Sequence, residues 1–108
     1  MDWVFVDDVV TAFLDAAVRP EAVGATIDLG SGSLVTVRDV IVQIHRLIPG
    51  SPAPRFGALA DRMHEVVRCA ETETAVRVLG WKASTPLSEG LQRTIQCYQK
   101  WYSAATPA

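Results

Sequence analysis

The chain has 108 residues, of which 49% are hydrophobic and 20% charged, and its net charge is −2. These values are ordinary for a globular protein and exclude a disordered chain. The small net charge, with acids and bases mixed along the sequence, gives no reason to expect nucleic acid or a membrane surface as partner. We expect one domain, residues 1–108, that buries somewhat less than ~70% of its unfolded surface.

The sequence contains no segment suited to a membrane or to export. Apolar runs such as Val9–Leu14 are far shorter than the ~20 residues that span a bilayer. The first residues do not show the basic and then apolar pattern of a secretory signal. Cys69 and Cys97 are far apart and lack metal-ligand spacing, so we expect reduced, half-buried thiols. A cytoplasmic protein is therefore predicted.

The first twenty residues predict a strand followed by a helix. Trp3–Val6 is aromatic and β-branched, which favours a strand. Asp7 and Asp8 follow, and because adjacent residues do not face each other we interpret them as helix-capping residues rather than an acid–base pair. The helix ends before Pro20. Its predicted apolar face consists of Val9, Val10, Phe13, Leu14 and Ala17.

The middle of the chain predicts a strand, a turn and an amphipathic helix. Ala25–Leu29 favours a strand, and Gly30–Ser33 follows as a tight turn. Thr36 and Asp39 have capping-box spacing. The helix behind them carries an apolar face of Val37, Val40, Ile41, Ile44, Leu47 and Ile48. The cluster of prolines and glycine over residues 49–54 predicts a loop.

The last half adds two short extended segments and two helices. Arg55–Leu59 and Val66–Ala70 are predicted to be extended, the second as a strand. Thr72–Leu79 predicts a short helix ended by Gly80. Thr85–Pro86 is a cap followed by proline at the first helical position. The apolar stripe of the last helix is Leu87, Leu91, Ile95, Tyr98 and Trp101 or Tyr102. The predicted fold class is α+β, with three to four helices and a small two- to three-stranded sheet.

Four stretches carry a family resemblance. They are Asp2–Val10 (DWVFVDDVV), Ile27–Gly32 (IDLGSG), Arg55–Glu65 (RFGALADRMHE), and Leu79–Trp81 with Leu87–Leu91 (LGW and LSEGL). In this order they resemble the "RDfvyVdDva", "fNiGsG", "RpgE" and "LGWxPxxsLeeGL" segments of the extended short-chain dehydrogenase/reductase family. That family includes the nucleotide-sugar epimerases, dehydratases and reductases. The resemblance covers residues 2–102 and implies the C-terminal, substrate-binding part of such an enzyme, without its Rossmann half.

The family's cofactor and catalytic motifs are not matched here. Its members bind NAD through a glycine-rich turn after the first strand, and Gly30–Gly32 is too short a match, so we interpret it as a turn. Their catalytic pair is a Tyr followed four residues later by a Lys. Neither Tyr98 nor Tyr102 has a Lys at that spacing. We therefore expect no cofactor, no catalytic residue and no metal site in this chain.

The resemblance points to three substrate-binding residues. Arg62 matches the arginine of "RpgE", which in the family reaches the diphosphate of the nucleotide sugar, where a fork of N–H donors suits phosphate oxygens. The alternative is a solvated loop arginine, since Met63 and His64 replace the usual Pro-Gly. By the same alignment Arg55 lies near the nucleotide, and His64 lies in the candidate sugar-binding loop.

Three functions follow as hypotheses. The first is a truncated epimerase/dehydratase-like protein that keeps part of a nucleotide-sugar site and is not catalytic alone. The second is a subunit that completes an enzyme with a separate NAD-binding chain. The third is an interaction module whose site is vestigial. We also expect a homodimer, through pairing of Ala25–Leu29 or exchange of the helix over residues 87–102.

Overall fold

The computed structural model describes residues 1–106, and almost all of their regular secondary structure is helical. Its α-helices are Val6–Val18 (α1), Val37–Leu47 (α2), Glu73–Leu79 (α3) and Leu87–Ala105 (α4), and a short 3-10 helix, Pro20–Ala22, follows α1. The chain divides into two compact units. Unit 1 consists of residues 1–35 and 65–85, and unit 2 of residues 36–64 and the chain from Pro86 onward.

The predicted α+β fold with a small sheet is wrong. Within residues 1–106 the only β interaction is an isolated antiparallel bridge between Asp2 and Leu34. The predicted strand Trp3–Val6 runs directly into α1, and Ala25–Leu29 and Val66–Ala70 form no strand. A strand needs the ladder hydrogen bonds of a neighbour, and even two strands alone are marginal. Among the described residues these segments find no such neighbour, so the fold is helical.

Unit 1 is built around a small apolar core between α1, α3 and the segment after α3. Its buried members are Ala12, Ala75, Val78, Leu79 and Trp81. The extended segments contribute Val4, Ile27 and Leu29, which pack against this core. As predicted, α3 ends at Gly80, whose φ of 63° is the left-handed conformation that glycine adopts without strain. The reversal at Gly80 brings Trp81 into the core.

The buried side of α1 is not the predicted one. Phe13 and Leu14 are 68% and 65% exposed, whereas Asp8 and Ala12 are buried. Two contacts fix this rotation of the helix. The indole N–H of Trp81 donates to the backbone oxygen of Asp8 at 2.8 Å, and the Asp8 carboxylate is held by Ser84 and the residue after it. Small side chains on the inner side then allow α3 to approach closely.

In unit 2, helix α2 begins as predicted. Thr36 is its N-cap, and the Thr36 hydroxyl oxygen accepts from the backbone N–H of Asp39 at 3.0 Å. The same hydroxyl donates to the Asp39 carboxylate at 2.6 Å, so the capping box forms with Asp in place of Glu. Val40 on the predicted apolar face is buried.

Helix α4, also in unit 2, begins one residue later than predicted. Pro86 is the residue before the helix, and Thr85, predicted as the cap, makes its hydrogen bonds to Asp8 instead. The first half of the predicted stripe is half-buried, but Tyr98 and Trp101 are exposed. The stripe therefore packs only over the first turns of the helix.

Two further expectations concern the cysteines and membranes. Cys69 and Cys97 are both free and exposed, so the predicted half-burial is wrong. Among the helices of residues 1–106, none combines the length and the apolar character that crossing a bilayer requires.

Candidate functional site

The three predicted substrate-binding residues lie in one long segment without regular structure between α2 and α3. Arg55, Arg62 and His64 are all exposed and all belong to unit 2. Within residues 1–106 none of the three forms a hydrogen bond or an ion pair. The structure therefore places them in the same loop with their polar groups open to solvent, without joining them to one another.

His64 has an unusual backbone. Its φ of 73° is the only positive value among the described non-glycine residues, and this left-handed region favours glycine. His64 stands where the family motif "RpgE" has its glycine. The assignment of Arg62 as a substrate-binding residue stays a prediction.

Sequence reasoning missed the contact that anchors the start of this loop. The guanidinium carbon of Arg38, in the first turn of α2, lies 4.0 Å from the centre of the Phe56 ring. Such a cation–π contact contributes about 0.5–1 kcal/mol at an exposed site. The contact joins Phe56, the residue after Arg55, to helix α2. A basic residue near an aromatic is the only sequence signal, and it is too common to have identified the pair.

The Gly30–Gly32 turn holds a carboxylate of the protein itself. The backbone N–H groups of Ser31, Gly32 and Ala70 donate to the Asp2 carboxylate at 2.8, 3.0 and 3.0 Å. A Cβ on Gly30 would lie 2.5 Å from the Ala70 Cβ and 2.6 Å from Asp2. Because Asp2 already occupies the N–H groups that could meet a phosphate, the interpretation as a structural turn agrees with the structure.

Burial alone would raise the pKa of Asp2, but hydrogen bonds from Ser31, Ala70 and Gly32 outweigh it and hold that pKa below its ordinary value. The carboxylate therefore stays ionised at neutral pH. It is suited to holding the Gly30–Gly32 turn in place through hydrogen bonds, and not to exchanging protons.

Asp8 is the second internal carboxylate of unit 1. It accepts from the backbone N–H groups of Ser84 and Thr85 at 3.2 and 2.9 Å, and from both hydroxyls at 3.0 Å. The predicted capping role is wrong for Asp8, since its carboxylate binds Ser84 and Thr85 and the N-cap of α1 is Phe5. Burial would raise the pKa of Asp8, but the hydrogen bonds from Thr85 and Ser84 outweigh it and lower the pKa. No local sequence pattern indicates this long-range contact.

These arrangements limit the chemistry. The Asp2 and Asp8 carboxylates each accept several hydrogen bonds from backbone and hydroxyl donors of the protein, so neither is placed for acid–base catalysis. A cleft of about 580 Å³ between α2 and α4, lined by Ile44, Ile95 and Tyr98 among others, contains none of the predicted site residues.

The comparisons with known proteins agree on one group of enzymes. The chain is 31% identical over 99 residues to the UDP-glucose 4-epimerase of Mycolicibacterium smegmatis, covering 91% of this chain and 31% of that protein. It is 27% identical over 99 residues to the CDP-abequose synthase of Salmonella typhimurium, covering 88% of this chain and 33% of that protein. It is 25% identical over 104 residues to the dTDP-D-glucose 4,6-dehydratase of Mus musculus, covering 92% of this chain and 29% of that protein.

The chain spans about a third of the length of the curated relatives that it matches. No protein-family model matches it, and no solved structure does.

Proposed function

Because this chain corresponds in sequence to a C-terminal segment of the epimerases and dehydratases of the extended short-chain dehydrogenase/reductase family, we propose that it binds a nucleotide sugar and is not a complete enzyme by itself. The names of its relatives are those of enzymes of nucleotide-linked sugars: a UDP-glucose 4-epimerase, a CDP-abequose synthase and a dTDP-D-glucose 4,6-dehydratase. That substrate class is the feature they share.

The observation that carries the proposal is the exposed loop between α2 and α3. It presents Arg55 and Arg62 with their guanidinium groups unpaired within the described residues, and its residue at position 64 has a left-handed backbone. In the proposed complex Arg62 binds the diphosphate through its fork of N–H donors. Arg55 lies towards the nucleotide and His64 towards the sugar.

The test is a titration of the purified chain with UDP-glucose and dTDP-glucose, followed by NMR and calorimetry. We expect weak binding with shifts confined to the loop. Arg62→Ala should weaken it roughly ten- to a hundredfold, since a charged hydrogen bond contributes ~1.5–3 kcal/mol. Arg46→Ala is the matched control, because Arg46 is an exposed arginine of the same unit outside the loop. Unchanged spectra, or equal losses in both variants, would contradict the proposal and favour the vestigial interaction module.

The proposal that the chain is not catalytic alone rests on its residues. Neither tyrosine of the sequence is followed by a lysine four residues later, and Asp2 fills the only Gly-x-Gly turn. We expect the purified chain to show no epimerase, dehydratase or oxidoreductase activity and no NAD(H) binding. Micromolar NAD binding by calorimetry would refute this.

A second candidate is a subunit that completes an enzyme with a separate NAD-binding chain. Two observations favour association in general: the relatives carry the matched segment within chains about three times as long, and α1 exposes large apolar side chains. We propose a homodimer in the absence of such a partner. The predicted cytoplasmic location is part of the same proposal and is tested by localising a tagged full chain.

A further inference from the structure

The contact between Arg38 and Phe56 leaves the hydrogen-bond donors of Arg38 unused. The guanidinium carbon of Arg38 lies over the Phe56 ring, 4.0 Å from its centre. Arg38 is exposed, and Phe56 is 38% exposed. Within residues 1–106 the Arg38 guanidinium forms no hydrogen bond and no ion pair. The ring therefore holds the cation in place while the N–H donors of the guanidinium stay open to a ligand.

No carboxylate of the described residues neutralises Arg38. Asp39 is next in the chain, but its carboxylate accepts from the Thr36 hydroxyl at 2.6 Å and takes part in the cap of α2. Arg93 of α4, by contrast, lies 3.9 Å from the carboxylate of Glu89. A planar guanidinium that is held on an aromatic ring and has no acidic partner is positioned for an anion from outside the chain.

The place of Arg38 brings it to the same surface as Arg55. Arg38 lies in the first turn of α2, a helix of 11 residues whose cap is formed. Its ring partner Phe56 directly follows Arg55, and consecutive Cα atoms are about 3.8 Å apart. The Arg55 guanidinium is also exposed and unpaired within residues 1–106. Two uncompensated cations on one surface favour a ligand with more than one negative charge.

We propose that Arg38 is a further phosphate-binding residue of this chain and that Phe56 positions it. The ligand is a diphosphate ester, because the fork of guanidinium donors binds phosphate oxygens and Arg55 is near enough to the ring to meet the second phosphate. The inference rests on the proposed function for the identity of that ester. It goes beyond it because none of the four stretches that carry the family resemblance includes Arg38.

The first experiment is a titration of the full chain with UDP-glucose and with inorganic pyrophosphate, followed by calorimetry and NMR. Arg38→Ala should weaken binding roughly ten- to a hundredfold, because charged hydrogen bonds to phosphate are lost. Arg46→Ala is the matched control and should leave binding unchanged, since Arg46 is an exposed arginine in the last turn of the same helix. A wild type that binds neither probe, or equal results for the two variants, would overturn the proposal.

Further variants test how Arg38 and Phe56 act. Arg38→Lys keeps the charge but loses the planar fork, so it should lose nearly as much affinity as Arg38→Ala. Phe56→Leu should weaken binding about two- to fivefold, whereas Phe56→Tyr keeps the aromatic face and should not. In the Arg38→Ala background Phe56→Leu should have no further effect, because Phe56 acts through Arg38. Additive losses, or equal losses in the two Phe56 variants, would refute the positioning role.

Arg62→Ala in the same titrations separates this inference from the proposed function. If Arg62→Ala weakens UDP-glucose binding and Arg38→Ala does not, the proposed function stands and the role of Arg38 is refuted. If pyrophosphate binds through Arg38 and UDP-glucose does not bind, the phosphate site stands and the proposed function is refuted.

Discussion

Replacing Asp8 by Ala removes the acceptor that joins α1 to the residues before α4. Four hydrogen bonds of 2.9–3.2 Å from Ser84 and Thr85 end on this carboxylate. Hydrogen bonds to a charged group contribute about 1.5–3 kcal/mol each, but four donors that share one group are not additive. Ser84 is exposed and can rehydrate, while Thr85 is half-buried. We therefore expect a loss of about 2–4 kcal/mol of unfolding free energy.

The same contact predicts a pH dependence. Because the pKa of Asp8 is lowered in the folded protein, its contribution is complete above the unfolded pKa, near 4, and is lost as pH falls through the folded value. The pKa of Asp2 is also lowered in the folded protein, so its contribution to stability is likewise lost as the pH falls. The difference in unfolding free energy between the wild type and Asp8→Ala should therefore be constant near neutral pH and shrink below about pH 4.

The assay is urea unfolding by circular dichroism at pH 7 and at a series of acidic values. A loss of this size lowers the Tm by about 10–25 °C for a domain of this length. Asp61→Ala, at an exposed loop position, is the control and should change stability by less than ~0.5 kcal/mol. Asp8→Asn keeps the side-chain size and should still cost at least ~1 kcal/mol. An Asp8→Ala variant as stable as the Asp61→Ala control would refute the structural role of this carboxylate.

Two further substitutions test the packing of unit 1. Gly30→Ala should destabilise the protein by about 1–3 kcal/mol, because its Cβ would collide with Ala70 and with the Asp2 carboxylate. Adding Ala70→Gly should recover part of this loss in a thermal melt. No recovery would contradict the assigned contact. Trp81→Phe keeps an aromatic ring in the core but removes the 2.8 Å hydrogen bond from the indole N–H to the Asp8 backbone oxygen. We therefore expect the unfolding free energy from urea titration to fall by about 1–2 kcal/mol. An unchanged unfolding midpoint would argue against this bond.

The elements that the sequence predicted correctly are those that local interactions determine. Helix α2 follows from the Thr36–Asp39 capping box, which forms as expected. The end of α3 follows from Gly80 and its left-handed backbone. Both signals act within one turn of a helix, so they can be recognised without knowing the rest of the fold.

Errors arose where distant residues decide the structure. Periodicity correctly placed α1 but not its inner side, because Ser84 and Thr85, more than seventy residues away, set the rotation through Asp8. The predicted strand Ala25–Leu29 failed because strand formation depends on a neighbour. For the candidate site, the resemblance located Arg62 in an exposed loop, but the Arg38–Phe56 contact that anchors this loop depends on packing that no motif describes.

The bonds that close unit 1 also bear on how the protein emerges during synthesis. The Asp8 carboxylate and its Thr85 donors are separated by 77 residues, so α1 leaves the ribosome long before the groups that hold it exist. At 5–20 residues per second this interval lasts about 4–15 s. Throughout it the inner side of the helix, with Asp8 and Ala12, lacks the contacts that bury it in the folded protein. The rotation of α1 that buries Asp8 can therefore be set only after Thr85 has been made.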